Sequence, residues 1–276
     1  MVFEADIPNT DMQNQRAWLV IGLLAFCCIS LLLSLVYPVG SATPHAETPS
    51  DEQFWVSDTE PCTMTGQIVV DDNQQFGFKE LVTTSGERYQ RVDESKTTTE
   101  RYQSASNATI YERINVSAES NVNRMREQLT SDETQELLKE NSSDDHVTFI
   151  VATNGSDPTV DFSNPAAVVA RSLHVVGYES TNHELAAHVV YEPQGGWYGD
   201  SKGYRITNTT GKIHVNGETD TVEAASVSWD VTDPADSYAQ YVTTRLTSTD
   251  PSTHEVSLEL QAEEPEVNQP TWMPET

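Results

Sequence analysis

The most continuous hydrophobic pattern in the chain lies close to its N-terminus. Residues 17–46 carry no formal charge, and 17–36 (AWLVIGLLAFCCISLLLSLV) are apolar apart from one glycine and two serines. Twenty residues at 1.5 Å each span the ~30 Å hydrocarbon layer of a bilayer. Trp18 and Tyr37 lie at the two ends, where interfacial aromatic residues are found. The pattern predicts a transmembrane helix over 17–37.

The charges around this segment predict its orientation. Arg16 precedes it and no Lys or Arg follows until Lys79, which favours a cytoplasmic tail over 1–16 and an extracellular remainder. A cleaved signal peptide is the alternative, because residues 40–42 (Gly-Ser-Ala) could form a cleavage site. The apolar run exceeds the ~7–15 residues of a signal peptide, so we favour an uncleaved signal anchor in the cell membrane.

The remaining chain divides into three parts. Residues 38–61 hold four of the 13 prolines and show little periodicity, which is typical of a stalk. Residues 62–264 are predicted to form an extracellular antiparallel β domain, and 265–276 a C-terminal tail without regular structure.

Apolar and polar positions alternate in short runs throughout the predicted β domain. In one run Ile110, Ile114 and Val116 share a face, and in another Val256 and Leu258 alternate with polar residues. A period of two with one polar face predicts antiparallel strands that are covered on one side. Turn residues that predict hairpins occur at Asp71-Asp72-Asn73, Ser85-Gly86, Thr210-Gly211, Asn216-Gly217 and Asp250-Pro251-Ser252.

Two mid-chain segments predict helices that cover this sheet. Residues 121–140 contain no Gly or Pro and have helical apolar spacing, with a possible second start where Thr130 and Glu133 fit a capping box. A second helix is predicted from Pro165, after Asn164 as its N-cap. The predicted fold class is therefore mainly β (α+β), with an N-terminal transmembrane helix followed by a curved antiparallel sheet with mid-chain helices.

The order of these elements resembles a known family. The runs CTMTGQIVV, FGFKELVTT, ERYQRVDE, TTTERYQ and ATIYERINV are followed by helical insertions and by a strand meander that ends in Pro-Thr-Trp-Met-Pro. This order resembles the lipoprotein-carrier (LolA/LolB-like) superfamily, including membrane-anchored relatives from halophilic archaea, over roughly residues 60–274. The resemblance implies an open, strongly curved antiparallel sheet under a helical lid, with a concavity that holds acyl chains.

The charge of the chain indicates a salt-rich environment and argues against a nucleic-acid partner. The chain has 15 Lys and Arg against 43 Asp and Glu, a formal charge of −28, together with 25 Ser and 31 Thr. Such an acidic surface does not neutralise phosphates, so we expect no nucleic-acid partner. In molar salt the Debye length falls to ~3 Å and this repulsion is screened. The composition therefore favours a halophilic source over an ordinary acidic secreted protein.

No motif in the sequence predicts catalysis, a cofactor or a metal. His183 and His188 are five apart rather than the four that a zinc protease motif requires, and neither a G-x-S-x-G string nor a phosphate-binding glycine loop occurs. The aspartates at 230, 233 and 236 lack the alternate spacing of a calcium loop. The glycine- and aromatic-rich residues 195–199 could rim an apolar or sugar ligand, or simply fold two aromatic side chains into the core.

Cysteines and sequons complete the candidate sites. Cys27 and Cys28 lie within the predicted span, so Cys62 is the single cysteine outside it, expected as a buried thiol or, alternatively, as a bridge between two copies. Five N-x-[ST] sequons lie in the outer part, against about 2.7 expected by chance for its composition, and acceptors function only on the exported side. The candidate glycosylation sites are Asn107, Asn115, Asn141, Asn154 and Asn208.

Together these patterns predict a non-enzymatic, membrane-anchored surface protein of a halophile that binds or carries a hydrophobic or lipid ligand, or senses the state of the envelope. The alternative is a structural or adhesive β-sandwich ectodomain that acts through protein partners. An extracellular hydrolase would require a cleft that brings His174, His183 or His188 together with carboxylates.

Overall fold

The structure is a computed structural model, and it describes most of the chain after residue 60. The predicted cytoplasmic tail 1–16 and transmembrane segment 17–37 lie outside the described residues. Among the helices that are described, none has the length and apolar character needed to cross a membrane. The described residues are 54, 56, 61–143, 145–155, 162, 164–181, 188–198, 203–247 and 250–274.

The described chain is mainly β, with an antiparallel sheet and few helices, as the alternating pattern predicts. Its helices are α1 (Glu119–Ser131), α2 (Pro165–Leu173) and α3 (Tyr238–Thr247). Its strands are β1 (Cys62–Val70), β2 (Asn73–Val82), β3 (Arg88–Glu94), β4 (Thr97–Gln103), β5 (Ile110–Val116), β6 (Gln135–Ser142), β7 (Val147–Thr153), β8 (Gly177–Ser180), β9 (His188–Gln194), β10 (Gly196–Tyr198), β11 (Tyr204–Asn216), β12 (Thr221–Val231) and β13 (Ser252–Gln261).

The chain divides into two compact units. The larger unit comprises 43–196, 206–231 and 251–276, and the smaller one includes 197–205 and 232–250. In the smaller unit Trp197 meets Tyr241 edge-on at 4.9 Å, and Tyr198 stacks on Tyr204 at 6.1 Å. The two aromatic residues of the predicted 195–199 loop therefore pack against tyrosines of their own unit.

Strand pairing in the larger unit joins the two ends of the domain. The order along the sheet is β6-β7-β5-β4-β3-β2-β1-β13-β12-β11-β9-β8. β1, the first strand in sequence, and β13, the last, pair side by side in the middle, from Thr63–Gln261 to Val70–His254. Successive hairpins continue the sheet from β1 to β5, as between β1 and β2, where Asp71 and Asp72 take the positive φ of a tight turn.

The two faces of this sheet differ in what covers them. On one face Met64, Phe78, Leu258 and Val227 are buried, and α2 contacts β1 and β13 over them. On the same face α1 packs Val122 and Leu129 on the core of β5 and β7. We call this the helix face. The opposite face carries exposed polar residues along the central strands, and we call it the open face.

The helix predicted over 121–140 is wrong in its second half. α1 ends at Ser131, and Asp132 then takes an extended conformation while its carboxylate accepts hydrogen bonds from the Thr134 N–H and hydroxyl. The predicted capping box is wrong too, because the Thr130 hydroxyl donates back to the Arg126 carbonyl. Residues from Gln135 instead form β6, since β7 supplies backbone partners that an isolated helix would lack.

Two of the predicted hairpin turns are also wrong. Thr210-Gly211 lies inside β11, where the register against β12 shifts between Thr207 and Thr210, so it marks a bulge. Asp250-Pro251-Ser252 follows the unpredicted helix α3 and leads into β13. The turns at 71–73, 85–86 and 216–217 are confirmed, as is the second helix, whose cap Asn164 accepts a hydrogen bond from the Ala167 N–H at 3.0 Å.

The β11 bulge predicts a sensitive glycine. Gly211 has φ +100°, and a Cβ there would collide with the Ser226 carbonyl. We expect Gly211→Ala to lower the free energy of unfolding by about 1–3 kcal/mol, because both the conformation and the close approach exclude a side chain. Denaturant titration in molar KCl measures it.

Gly77→Ala is the matched control for this prediction. Gly77 lies on β2 of the same sheet and has no left-handed φ, and a Cβ there would meet the flexible end of the Gln74 side chain. It should therefore change stability much less. Equal losses in the two variants would show that the bulge does not require glycine.

Candidate functional site

A pocket of about 350 Å³ lies beside α2 on the helix face. Its walls are mainly apolar, from the N-terminal segment on one side and from the helix on the other. We call it the α2 pocket, and its lining residues are Phe54, Val56, Asn164, Ala167, Ala170, Arg171 and His174.

Two of these residues come from the range predicted to be a stalk. Phe54 is 2% exposed and Val56 3%. The Phe54 ring meets Tyr178 edge-on at 5.2 Å and Tyr191 at 5.7 Å, and it lies 5.1 Å from the His174 ring. The folded domain therefore holds part of the range 38–61, whose other residues apart from Pro61 lie outside the described ones.

The sequence of α2 explains why a pocket forms there. Asn164 caps the helix and Pro165 occupies its first turn, which fixes the start of the helix. Val169 and Leu173 are fully buried against the sheet. Ala167 and Ala170 have only a methyl group each, so the helix side that faces Phe54 leaves unfilled volume.

Among the described residues, the lining of the α2 pocket has a charge opposite to that of the protein as a whole. Arg171 is exposed in the last turn of α2, and His174 is half-buried as its C-cap. The described lining includes no carboxylate, although the chain has 43 acidic residues. Apolar walls beside a cationic group suit an amphiphile with an anionic head group.

A second and larger cavity lies on the open face. It has a volume of about 790 Å³ and extends across the central strands from β3 to β11. We call it the central groove. Its polar lining side chains are Thr65, Gln67, Gln74, Lys79, Asp93, Lys212, His214, Ser226, Ser257 and Glu259.

Strand register arranges these side chains in two rows. One row runs across five strands, and its members are Lys79, Thr65, Glu259, Ala224 and His214. The next row begins one strand earlier, and its members are Asp93, Gly77, Gln67, Ser257, Ser226 and Lys212. At about 4.8 Å between strands, the six positions of the second row extend over about 24 Å.

The charged ends of the second row are held in place by neighbours. Asp93 accepts hydrogen bonds from Arg91 at 2.8 and 3.0 Å and from the Thr98 hydroxyl at 2.9 Å, and these bonds hold the pKa of Asp93 below its usual value. The Lys212 ammonium lies 3.2 Å from Glu192. Asp93 and Lys212 are therefore each oriented by an oppositely charged neighbour.

The structure places four of the five sequon asparagines on exposed positions. Asn107 lies in the β4–β5 turn, Asn141 on β6, Asn154 after β7 and Asn208 near the β11 bulge. Asn115 is half-buried on β5, where its side chain accepts a hydrogen bond from the Thr148 hydroxyl at 2.7 Å. Asn115 is therefore the least accessible acceptor of the five.

The histidines considered for hydrolysis are not brought together. His174 lies by the α2 pocket on the helix face, whereas His188 lies on β9 beside Asn216 and forms an exposed contact of 3.0 Å with Glu223. His183 lies outside the described residues.

Cys62 is buried, as expected for a thiol. Within the described part of the chain, no group of three or more His, Cys, Asp or Glu residues could hold a metal ion, and this includes the aspartates at 230, 233 and 236.

In the part of the chain that the structure describes, the protein is mainly antiparallel β, with a pocket beside α2 and a groove on the open face. In comparisons with protein-family models, curated proteins and solved structures, the chain matches none.

Neither cavity was identified from the sequence. The α2 pocket depends on Phe54 and Val56. The sequence shows that these residues are apolar and lie in a proline-rich range, but it does not show which residues they pack against. The central groove combines residues from strands nearly 200 positions apart. The one signal in the sequence is that two of the five lysines, Lys79 and Lys212, lie in predicted strand runs.

The burial of Phe54 predicts that the segment around this residue belongs to the folded domain. Phe54→Ala should lower the free energy of unfolding by about 3–5 kcal/mol, because it empties a buried aromatic site. The exposed α2 variant Val168→Ala is the control and should change it by less than about 0.5 kcal/mol. Unfolding in denaturant at molar KCl gives both values, and an unchanged Phe54→Ala stability would place this segment outside the folded core.

Proposed function

We propose that the chain is a non-enzymatic, single-pass, membrane-anchored surface protein of a halophile that binds a lipid or other hydrophobic ligand. In this proposal residues 17–37 anchor it, residues 1–16 are cytoplasmic, and a curved antiparallel sheet lies outside the cell. The observation that carries it is the α2 pocket, whose apolar walls meet a cationic residue.

The pocket has features that suit both parts of a lipid, the apolar chain and the anionic head group. Phe54, Val56 and Ala170 offer apolar surface, and removing apolar surface from water contributes about 25 cal/mol per Å². Arg171 offers a guanidinium fork that matches phosphate or carboxylate. A volume of about 350 Å³ lies within the range of small-molecule sites, so a chain or isoprenoid segment enters while its head group stays near Arg171.

The position of Phe54 in the sequence supports the same ligand source. Phe54 follows Tyr37, the end of the proposed anchor, by 17 residues. A fully extended chain of that length reaches at most about 60 Å, so the α2 pocket stays within that distance of the bilayer. Glycans on Asn107, Asn141, Asn154 and Asn208 belong to the proposal, because these side chains are exposed and would be exported.

An ectodomain that acts through protein partners is the second candidate. The edge strand β6 favours it, since Leu137 and Leu138 are among the few exposed large hydrophobic residues and lie at a bulge. The described strands are hydrogen-bonded into one continuous sheet, and an adhesive ectodomain would act through this exposed edge strand.

The lipid proposal is tested on the full chain, expressed in a salt-adapted host and purified from membranes in molar KCl. Organic extracts are analysed by mass spectrometry for lipid per protein. Ala167→Trp fills the α2 pocket, whereas Val168→Trp adds the same side chain at the next, exposed position of α2. We expect roughly equimolar lipid in wild type and Val168→Trp and at least a tenfold loss in Ala167→Trp.

A charge variant separates head-group recognition from pocket volume. Arg171→Glu should lower lipid content. Arg124→Glu, at an exposed position of α1, should not. Far-ultraviolet circular dichroism and thermal unfolding test whether all variants keep the wild-type fold, since an added tryptophan changes the near-ultraviolet signal by itself. Lipid content that is negligible in wild type, or equal in both tryptophan variants, contradicts the proposal and leaves the ectodomain candidate.

A further inference from the structure

The central groove is a second site, independent of the lipid proposal, because it lies on the open face while α2 lies on the helix face. Its floor is made by residues with short side chains, among them Ala224, Ser226 and Ser257. Longer polar side chains, Gln67, Gln74 and Lys79, rise beside this floor from β1 and β2. A shallow floor between long polar side chains forms a trough that runs across the strands.

The trough presents donors and acceptors of hydrogen bonds side by side. Lys79 and Lys212 only donate, and Glu259 and Asp93 only accept when ionised. Gln67, Gln74 and the hydroxyls of Thr65, Ser226 and Ser257 do both. A ligand that fits this lining must itself donate and accept at closely spaced positions, which is the property of a polyhydroxylated molecule.

The charge of the lining selects a neutral ligand. Its two lysines balance its two carboxylates, so the lining has no net formal charge in a protein of −28. A polyanion would meet Glu259, and a polycation would meet Lys79, each at the cost of like-charge repulsion. A neutral chain of hydroxyl groups meets neither penalty.

The proposed salt environment favours the same choice. In molar salt the Debye length falls to ~3 Å, so attraction between charges that are not in direct contact contributes little to recognition there. Hydrogen bonds to neutral hydroxyls do not depend on such long-range attraction. Binding by an uncharged polar lining therefore weakens less in high salt than binding by an acidic or basic patch.

We propose that the central groove binds a neutral oligosaccharide that lies across the strands, along the row from Asp93 to Lys212. The row of about 24 Å accommodates several sugar units in an extended chain. Gln67, at the middle of the row, both donates to and accepts from sugar hydroxyls. In the neighbouring row Lys79 donates to them and Glu259 accepts from them.

The test uses isothermal titration of the full chain in detergent and molar KCl with maltohexaose and mannohexaose, and with hexagalacturonate as an anionic probe of equal length. We expect at least one neutral hexaose to bind, with an affinity that changes less than threefold between one and three molar KCl. Hexagalacturonate should bind at least tenfold more weakly. Binding of the anionic probe alone, or of no hexaose, overturns the proposal.

Matched variants locate the site. Ser226→Trp fills the groove from an exposed floor position, and Ser142→Trp places the same side chain on exposed β6 outside it. Ser226→Trp should abolish hexaose binding, Gln67→Ala should weaken it at least fivefold, and Ser142→Trp should leave it unchanged. Equal binding by both tryptophan variants contradicts the groove as the site.

Measuring both hexaose binding and lipid content on each variant shows whether the two sites are independent. Ala167→Trp should retain hexaose binding while it loses lipid, and Ser226→Trp should retain lipid. Failure of the oligosaccharide arm with lipid content intact rejects this inference and leaves the proposed function standing.

Discussion

The arrangement of the larger unit depends on the antiparallel pairing of β1 with β13. These strands stand at opposite ends of the domain sequence, yet eight consecutive residue pairs join them at the centre of the sheet. On one side the sheet continues through local hairpins to β5, and on the other through β12 and β11. Closing so long a loop costs conformational entropy that only the finished pairing and its packing offset.

Both candidate sites are built on this strand pair, from opposite faces. On the helix face, the β1 and β13 residues Met64 and Leu258 are buried beneath α2, and α2 forms one wall of its pocket. On the open face, Gln67 and Ser257 oppose each other at the middle of the central groove. Because side chains alternate between faces, a single strand pair supplies an apolar support and a polar floor without conflict.

Sequence patterns predict the strands well and the cavities poorly, for a physical reason. Alternation within β1, β5 and β13 is local and visible, and the Asn164-Pro165 start of α2 needs no tertiary information. The change from helix to strand at Gln135 depends on backbone partners supplied by β7, so propensity alone favours the wrong structure there. Phe54 and the groove residues acquire their roles only through contacts between distant segments, which a single sequence does not reveal.

The most direct measurement is native-state hydrogen exchange of the full chain in molar KCl, followed strand by strand by mass spectrometry. If β1–β13 pairing holds the unit together, the interior amides of Cys62–Val70 and Ser252–Gln261 exchange last, at the same rate, and through global unfolding. The account would be contradicted if the amides of β1 exchanged at the same rate as those of β2–β5, while the amides of β13 exchanged at a different rate that they share with β11 and β12. That result would mean two independent sheets rather than one closed by its first and last strands.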